Sequence, residues 1–318
     1  MKTINFLFLV ALGVSFVRGD FQGLPIARVN SKLAAPILWT VDFSSDSRFY
    51  ATGGTDKILK IFDARTQVAV KTFQLSSTIQ CLDWNIDGKT LAIALDDSPL
   101  QLLNIETGKF TIVPGTGGSR AVAWNYNGQL IAFGNYEGVL QIMSKEGKLL
   151  RSIPKENTKT YLSVDWHPSK NIILTGSDRI RIFDTTGQML QNINHRKENT
   201  IVLTVRWHPD GNFFATGDYG EKENGIESLL QFWNSNGSPV KSFQGSISEY
   251  RNIRWDKTGK LLATASDAMR IWSDKGKLLY TGKSKDHLWG IDWNNKDHSV
   301  VTTSETGGVK LWDELPAF

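Results

Sequence analysis

The residues in this chain best suited to chemistry are five histidines, one cysteine and a recurring set of carboxylates. Their spacing argues against catalysis. His167-Pro168 and His208-Pro209 repeat one dipeptide 41 residues apart, which predicts a turn role rather than a metal site. His195, His287 and His298 stand alone in sequence. There is no His-Glu-x-x-His, no paired Cys-x-x-Cys, no Gly-x-Ser-x-Gly and no phosphate-cradling glycine loop. Cys81 is the only cysteine, so an intrachain disulfide is excluded. The expectation is a non-enzyme with no cofactor and no metal.

The elements that must position these residues come from a repeat, and internal repeats decide a fold before anything else. An aromatic followed by a polar turn recurs at Phe43, Trp84, Trp124, Trp166, Trp207, Trp255 and Trp293. The intervals are 41, 40, 42, 41, 48 and 38 residues. Two residues before each aromatic stands Val, Leu or Ile, an alternation that predicts a strand. A turn such as Asp87-Gly88, Asn127-Gly128 or Asp210-Gly211 follows, then a second strand such as Leu91-Ala92-Ile93-Ala94. A third strand ends in Ile61-Phe62-Asp63, Ile182-Phe183-Asp184, Ile271-Trp272 or Leu311-Trp312-Asp313, and a fourth short strand completes the unit. Four strands in about 40–45 residues are the signature of a propeller blade.

Residues 37–318 therefore resemble the WD-repeat family, on the aromatic-turn-Gly element, the Ala-Thr-Gly or Ala-Thr-Ala-Ser second strand and the closing Ile-Trp or Leu-Trp-Asp. The resemblance implies an all-β, seven-bladed β-propeller with four antiparallel strands per blade. The Gly-His pair that often opens a family repeat is absent, so the family's internal His-Ser-Asp-Trp hydrogen-bond network is expected to be incomplete. An acidic residue is kept in several second-to-third strand turns (Asp56, Asp97, Glu137, Asp178, Asp267). The seventh unit ends soon after its third strand, and Ile26–Val29 is expected to supply the fourth and close the ring as a monomer. That pairing would remove two exposed sheet edges.

Repeat register also aligns candidate function. Asp42, Asp83, Asp165 and Asp292 precede their aromatics, while Arg206 and Arg254 hold that position in two other blades. A ring of acids around a channel could cage a cation. Mixed signs instead predict ion pairs between blades, because buried charge must be paired. Four residues before each aromatic the series runs Trp39, Gln80, Arg120, Leu162, Leu203, Arg251, Trp289. The resemblance puts this slot at the rim of the channel's top mouth. Trp and Arg are enriched at interface hot spots, so Trp39, Arg120, Arg251 and Trp289, with Tyr136 on a nearby top loop, form the candidate patch for a protein or peptide partner. If Trp39 and Trp289 instead pack between blades, they are structural. Lys155–Thr158 repeats as Lys197–Thr200, and the fifth unit carries an expanded loop at 217–225. All three loops are expected on the top face, over blades four and five. The alternatives are a glycan- or small-ligand-binding propeller, and a channel-site hydrolase or lyase.

Composition narrows the partners. With 36 basic and 32 acidic residues and no run of five like charges, no nucleic-acid-binding stripe is visible. The first 19 residues read as a signal peptide: Met1-Lys2, an apolar run Ile4–Val17, then Val17-Arg18-Gly19. Fourteen residues are too few to span a bilayer as a helix, so no stable membrane anchor is expected. Removal leaves 34 basic against 32 acidic residues in a ring of residues 20–318. The protein would be secreted, periplasmic or otherwise exported if this segment functions, and cytoplasmic if it does not. Mass spectrometry of natively expressed protein should find an N-terminus near Asp20. Retention of Met1–Gly19 in a cytosolic fraction would contradict export.

Overall fold

Each repeated aromatic ends the innermost strand of an antiparallel sheet in the computed structural model, which describes residues 35–154, 160–196, 200–220 and 225–318. The seven inner strands are Leu38–Phe43, Ile79–Trp84, Ser119–Trp124, Ser163–Trp166, Val202–Trp207, Asn252–Trp255 and Leu288–Trp293. In every sheet the strands pair in chain order, so each inner strand is a sheet edge. Six sheets have four strands and the seventh has three among the described residues. The chain is an all-β seven-bladed propeller, with no helix among the described residues. Ile26–Val29 lies outside the described residues, as do 1–19, 155–159, 197–199 and 221–224.

Apolar cores sit between blades rather than within them. Leu59 and Ile61 of blade 1 pack with Leu82, Leu91 and Ile93 of blade 2, all fully buried. The ring closes the same way: Val301 of blade 7 packs with Val41, Phe43 and Tyr50 of blade 1. Alternation makes this possible, since each strand sends side chains to both sheet faces and each face meets a neighbouring blade.

Directional bonds fix how neighbours meet. The backbone N–H of Trp84 donates to Asp42 Oδ2 of the preceding blade (2.7 Å). Trp124 donates likewise to Asp83 (2.6 Å), Trp207 to Asp165 (2.6 Å) and Phe43 to Asp292 (2.7 Å), the last across the ring closure. The indole Nε1 bonds return: Trp84 to the Asp42 carbonyl (3.0 Å), Trp124 to Asp83 (3.1 Å), Trp166 to Ala123 (3.0 Å) and Trp293 to Arg254 (2.9 Å).

A second clasp uses the residue after the aromatic. His167 Nε2 bonds the Gly211 carbonyl (3.2 Å), His208 Nε2 that of Gly259 (2.8 Å) and Asn85 Nδ2 that of Gly128 (3.0 Å). The His-Pro steps thus act at turns, as their repetition predicts. Gly211 and Gly259 have φ of 74° and 73°, and a Cβ there would lie 2.5 and 2.3 Å from the clasping imidazole. Glycine is needed for both conformation and space.

Blade 5 forms part of the internal network without a Gly-His pair, and the network stays incomplete as expected, because His195 Nδ1 has no hydrogen-bond partner. His195 Nε2 lies 2.8 Å from Thr216 Oγ1, which also accepts from Trp233 Nε1 (2.8 Å). His195 Nδ1 lies 3.3 Å from Asp218 Oδ2, and Arg196 pairs with the same oxygen at 2.6 Å. Asn194-His195 stands in for Gly-His, and Thr216 for Ser. The loop needs only to place an imidazole above the second strand, and the residue before it is free to vary. His195 is therefore a structural residue. Asp218 is completely buried and Arg196 largely so, so Asp218→Ala leaves a part-buried guanidinium without its counter-ion. Breaking such a pair costs about 3–5 kcal/mol, which chemical denaturation should record. A loss under about 1 kcal/mol, the range of a surface pair, would contradict this role.

Candidate functional site at the channel mouth

The slot four residues before each aromatic converges as repeat register predicts. Trp39, Gln80, Arg120, Leu162, Leu203, Arg251 and Trp289 all line one cavity where the inner strands begin. Most of them sit on a β-bulge, which sequence reasoning missed. Leu38 pairs with Gly54 and Thr40 with Gly53, leaving Trp39 as the extra residue. Gln80, Arg120 and Leu203 are extra in the same way. In blade 7 the register also shifts across Trp289 and Gly290. A bulge adds a residue, bends the strand and re-aims a side chain. Five blades use it at the same level, so the slot faces the channel instead of the core. No residue type marks such a bulge, although the recurrence of unlike residues at one slot was a signal.

At this mouth the two tryptophans meet edge to face, with ring centroids 4.3 Å apart. The Arg251 guanidinium lies 3.6 Å from the centre of Trp289, and Arg120 lies 5.5 Å from that of Trp39. Trp289 is 5% exposed, and Trp39 is part-exposed. Arg251 pairs with Glu249 and also faces Tyr219 at 5.9 Å. The Arg120 guanidinium makes no hydrogen bond or ion pair among the described residues. Burial and the nearby Arg120 charge pull the Arg251 pKa down to about 10 against the opposing pull of Glu249. Burial likewise lowers that of Arg120, with Tyr136 and Asp96 opposing.

Tyr136 is not in the cavity wall. Its hydroxyl donates to Asp96 Oδ1 (2.6 Å), which also accepts from Gln80 Nε2 (3.0 Å). Tyr136 therefore reaches the mouth through Asp96 and Gln80. Beyond Arg251, a cleft of about 850 Å³ opens between top loops, lined by residues including Tyr219, Ile247, Ser248, Glu249 and His287. Ile247 is 73% exposed. Of the three top loops singled out in the sequence, most of both Lys-Glu-Asn-Thr copies and residues 221–224 lie outside the described residues.

Below the mouth the ion pairs that the mixed signs predict form in part: among the described residues Asp83 and Asp165 have none, and Arg206 bonds Ser163 Oγ and the Val205 carbonyl instead. Arg254 lies between Asp42 (3.5 Å) and Asp292 (3.6 Å). Burial alone would lower the Arg254 pKa, but Asp292 and Asp42 together hold it up. Burial raises Asp42, and Asp292 and Asp83 raise it further. Burial also pushes Asp83 and Asp165 up to about 7, against the bonds from Trp124 and Trp207 and the pull of Arg254.

Comparison with known proteins agrees with this architecture. The WD domain, G-beta repeat family matches residues 30–63, 147–184 and 276–313. The anaphase-promoting complex subunit 4 WD40 domain matches 70–117, and the eukaryotic translation initiation factor eIF2A family 176–291. Relatives include the transcriptional corepressor LEUNIG_HOMOLOG of Arabidopsis thaliana, 28% identical over 71% of this chain and 27% of its own. Eukaryotic translation initiation factor 3 subunit I of Kluyveromyces lactis is 23% identical over 44% of this chain and 46% of its own. Human WD repeat-containing protein 3 is 31% identical over 23% of this chain and 9% of its own. The chain thus spans about a quarter to a half of the first two relatives. Seven blades and these repeat matches define a repeat propeller. The chain belongs with the WD-repeat β-propellers.

The carboxylate belt makes stability depend on pH. Asp83 and Asp165 ionise near pH 4 when unfolded and near 7 when folded. Between those values the native state holds protons that the unfolded chain has released, so stability falls as pH rises. The melting temperature should decline from about pH 5 to 7.5. Asp83→Asn, which can still accept the Trp124 N–H, should flatten the decline, and Asp83→Ala should destabilise throughout. A flat wild-type profile over that range would contradict the assignment.

Proposed function

We propose that the protein is a non-catalytic WD-repeat scaffold that binds a protein or peptide through the top face, with the channel mouth as its anchor. The observation that carries this reading is the Arg120–Trp39–Trp289–Arg251 stack, three of whose members stand on a repeated bulge. Large aromatics and Arg at a preformed depression are the groups that dominate interface energetics. The adjoining cleft with exposed Ile247 extends the surface. The relatives named as a corepressor and an initiation-factor subunit are in keeping with a scaffold.

Three observations disfavour the alternatives at the mouth and in the channel. The mouth cavity holds about 60 Å³, against ~300–1,000 Å³ for ordinary small-ligand pockets. Each Trp already has a guanidinium near its ring, which competes with a sugar for stacking. The channel carboxylates are engaged by backbone N–H groups and Arg254, so they are poorly placed as a hydrolytic acid and base. Export of residues 20–318 belongs to the proposal only through the sequence pattern of residues 1–19.

Trp39→Ala tests the reading, because Trp39 is the more exposed of the two indoles. Affinity purification from native extract should lose a wild-type partner at least ten-fold, about 1.4 kcal/mol, with little change in melting temperature. A Val240→Ala control on an exposed fourth strand should keep it. A stable Trp39→Ala variant that retains every partner would overturn the proposal.

A further inference from the structure

We infer that the channel mouth is a carboxylate receptor, so that the partner inserts an Asp or Glu side chain between Arg120 and Arg251. This deepens the top-face reading and rests on it. The argument is an inventory of polar atoms in one cavity. Buried atoms without a partner include Trp39 Nε1, Trp289 Nε1 and Arg251 Nε, all donors. The Arg120 guanidinium adds further donors with no hydrogen bond or ion pair among the described residues. Against them stand one unpaired acceptor, Gln80 Oε1, and the Thr204 hydroxyl, which can do either. Buried polar groups are normally satisfied, and an exception asks for an explanation. A donor-rich, acceptor-poor cavity is completed by a group that only accepts. An ionised carboxylate is acceptor-only and suits the planar guanidinium fork.

Charge supports the same occupant. Arg206 also lines the cavity but is engaged by Ser163 Oγ and the Val205 carbonyl; of Arg120 and Arg251, only Arg251 has an acidic partner, Glu249. The Arg120 charge works against protonation of Arg251, and an anion between the two relieves it. Depth is limited from below. The Asp42, Asp83, Asp165 and Asp292 belt lies three residues further along each strand, roughly 10 Å at the rise of a β-strand. The one cation reaching the belt, Arg254, is already taken by Asp42 and Asp292, so a carboxylate finds its free guanidinium only at the mouth. The cavity of about 60 Å³ favours a side-chain tip over a whole ligand.

The probe is a capped tri-glutamate peptide added to the full chain with ¹⁵N-labelled indoles, Trp39 and Trp289 being assigned from Trp39→Phe and Trp289→Phe. Both indole N–H resonances should shift with tri-glutamate and not with capped tri-glutamine or tri-lysine. Arg120→Gln should weaken the response at least ten-fold, and Arg120→Lys should keep part of it. A melting curve of each variant shows that the ring is intact. If Arg120→Gln does not fold, loss of the wild-type shift at high salt provides the second readout. Equal shifts with glutamate and glutamine would overturn the carboxylate inference while leaving the top-face reading intact. No shift with any peptide, or preference for lysine, would also overturn it. Inorganic phosphate binding ten-fold more tightly than tri-glutamate would reassign the mouth to phosphate. Failure of the top-face reading is recognised separately, by partner retention in Trp39→Ala.

Discussion

Seven inner strands meet around the channel, and each has a free edge there. An unpaired strand edge is a row of unsatisfied N–H and C=O groups, costly if buried and adhesive if exposed. Among the described residues the ring meets this constraint at six of its seven blade interfaces, the exception being that between blades 5 and 6, where Trp255 Nε1 has no partner. A carboxylate from the preceding blade takes the edge N–H at Trp84, Trp124, Trp207 and Phe43. An indole N–H takes an edge carbonyl at Asp42, Asp83, Ala123 and Arg254. Edge satisfaction and blade-to-blade alignment are one set of bonds. The Asp292–Phe43 bond applies it at closure, using only residues of the inner strands.

The same edge leads to the site. Near its start, an inner strand is no longer fixed by the belt, and in five blades it bulges. In those five blades the bulge turns one side chain into the mouth, and Leu162 and Arg251 reach it from just before the inner strands of the other two. What stands there is then free to differ, and it does: two indoles, two guanidinia, one amide and two leucines. Repetition supplies the frame and the bulge supplies the variable positions. A charge gradient runs along the same strands, with mouth arginines above a belt where Arg254 bridges two of four aspartates.

Much of this was legible in the sequence because the repeat is strict. The Val, Leu or Ile two before each aromatic gave the strand, its face and the blade count. The mixed Asp and Arg series pointed to the Arg254 pairs with Asp42 and Asp292, but not to Arg206 turning to Ser163 Oγ and a backbone carbonyl. The slot series gave the mouth, since equivalent positions in a closed ring must share one height. What escaped notice depends on geometry rather than residue type. The bulge at Trp39 carries no motif. The His195 network was hidden because its loop spells Asn-His, although a lone His before blade 5, with Thr216, Asp218 and Trp233 following, was a usable signal. That Tyr136 reaches the mouth only through Asp96 and Gln80 follows from hydrogen bonding between blades, which no single repeat encodes. The fourth strand of blade 7 remains an expectation from Ile26–Val29.

Native-state hydrogen exchange of the inner-edge amides is the most direct test of the latch. Open-edge amides exchange through local fluctuation, whereas amides held by a buried bond exchange only when the core opens. The amides of Phe43, Trp84, Trp124 and Trp207 are predicted to exchange as slowly as central-strand amides such as Ile93 and Leu174, through global unfolding. Exchange of these four at the rate of a free strand edge would contradict the claim that the preceding blade's carboxylates hold the ring together.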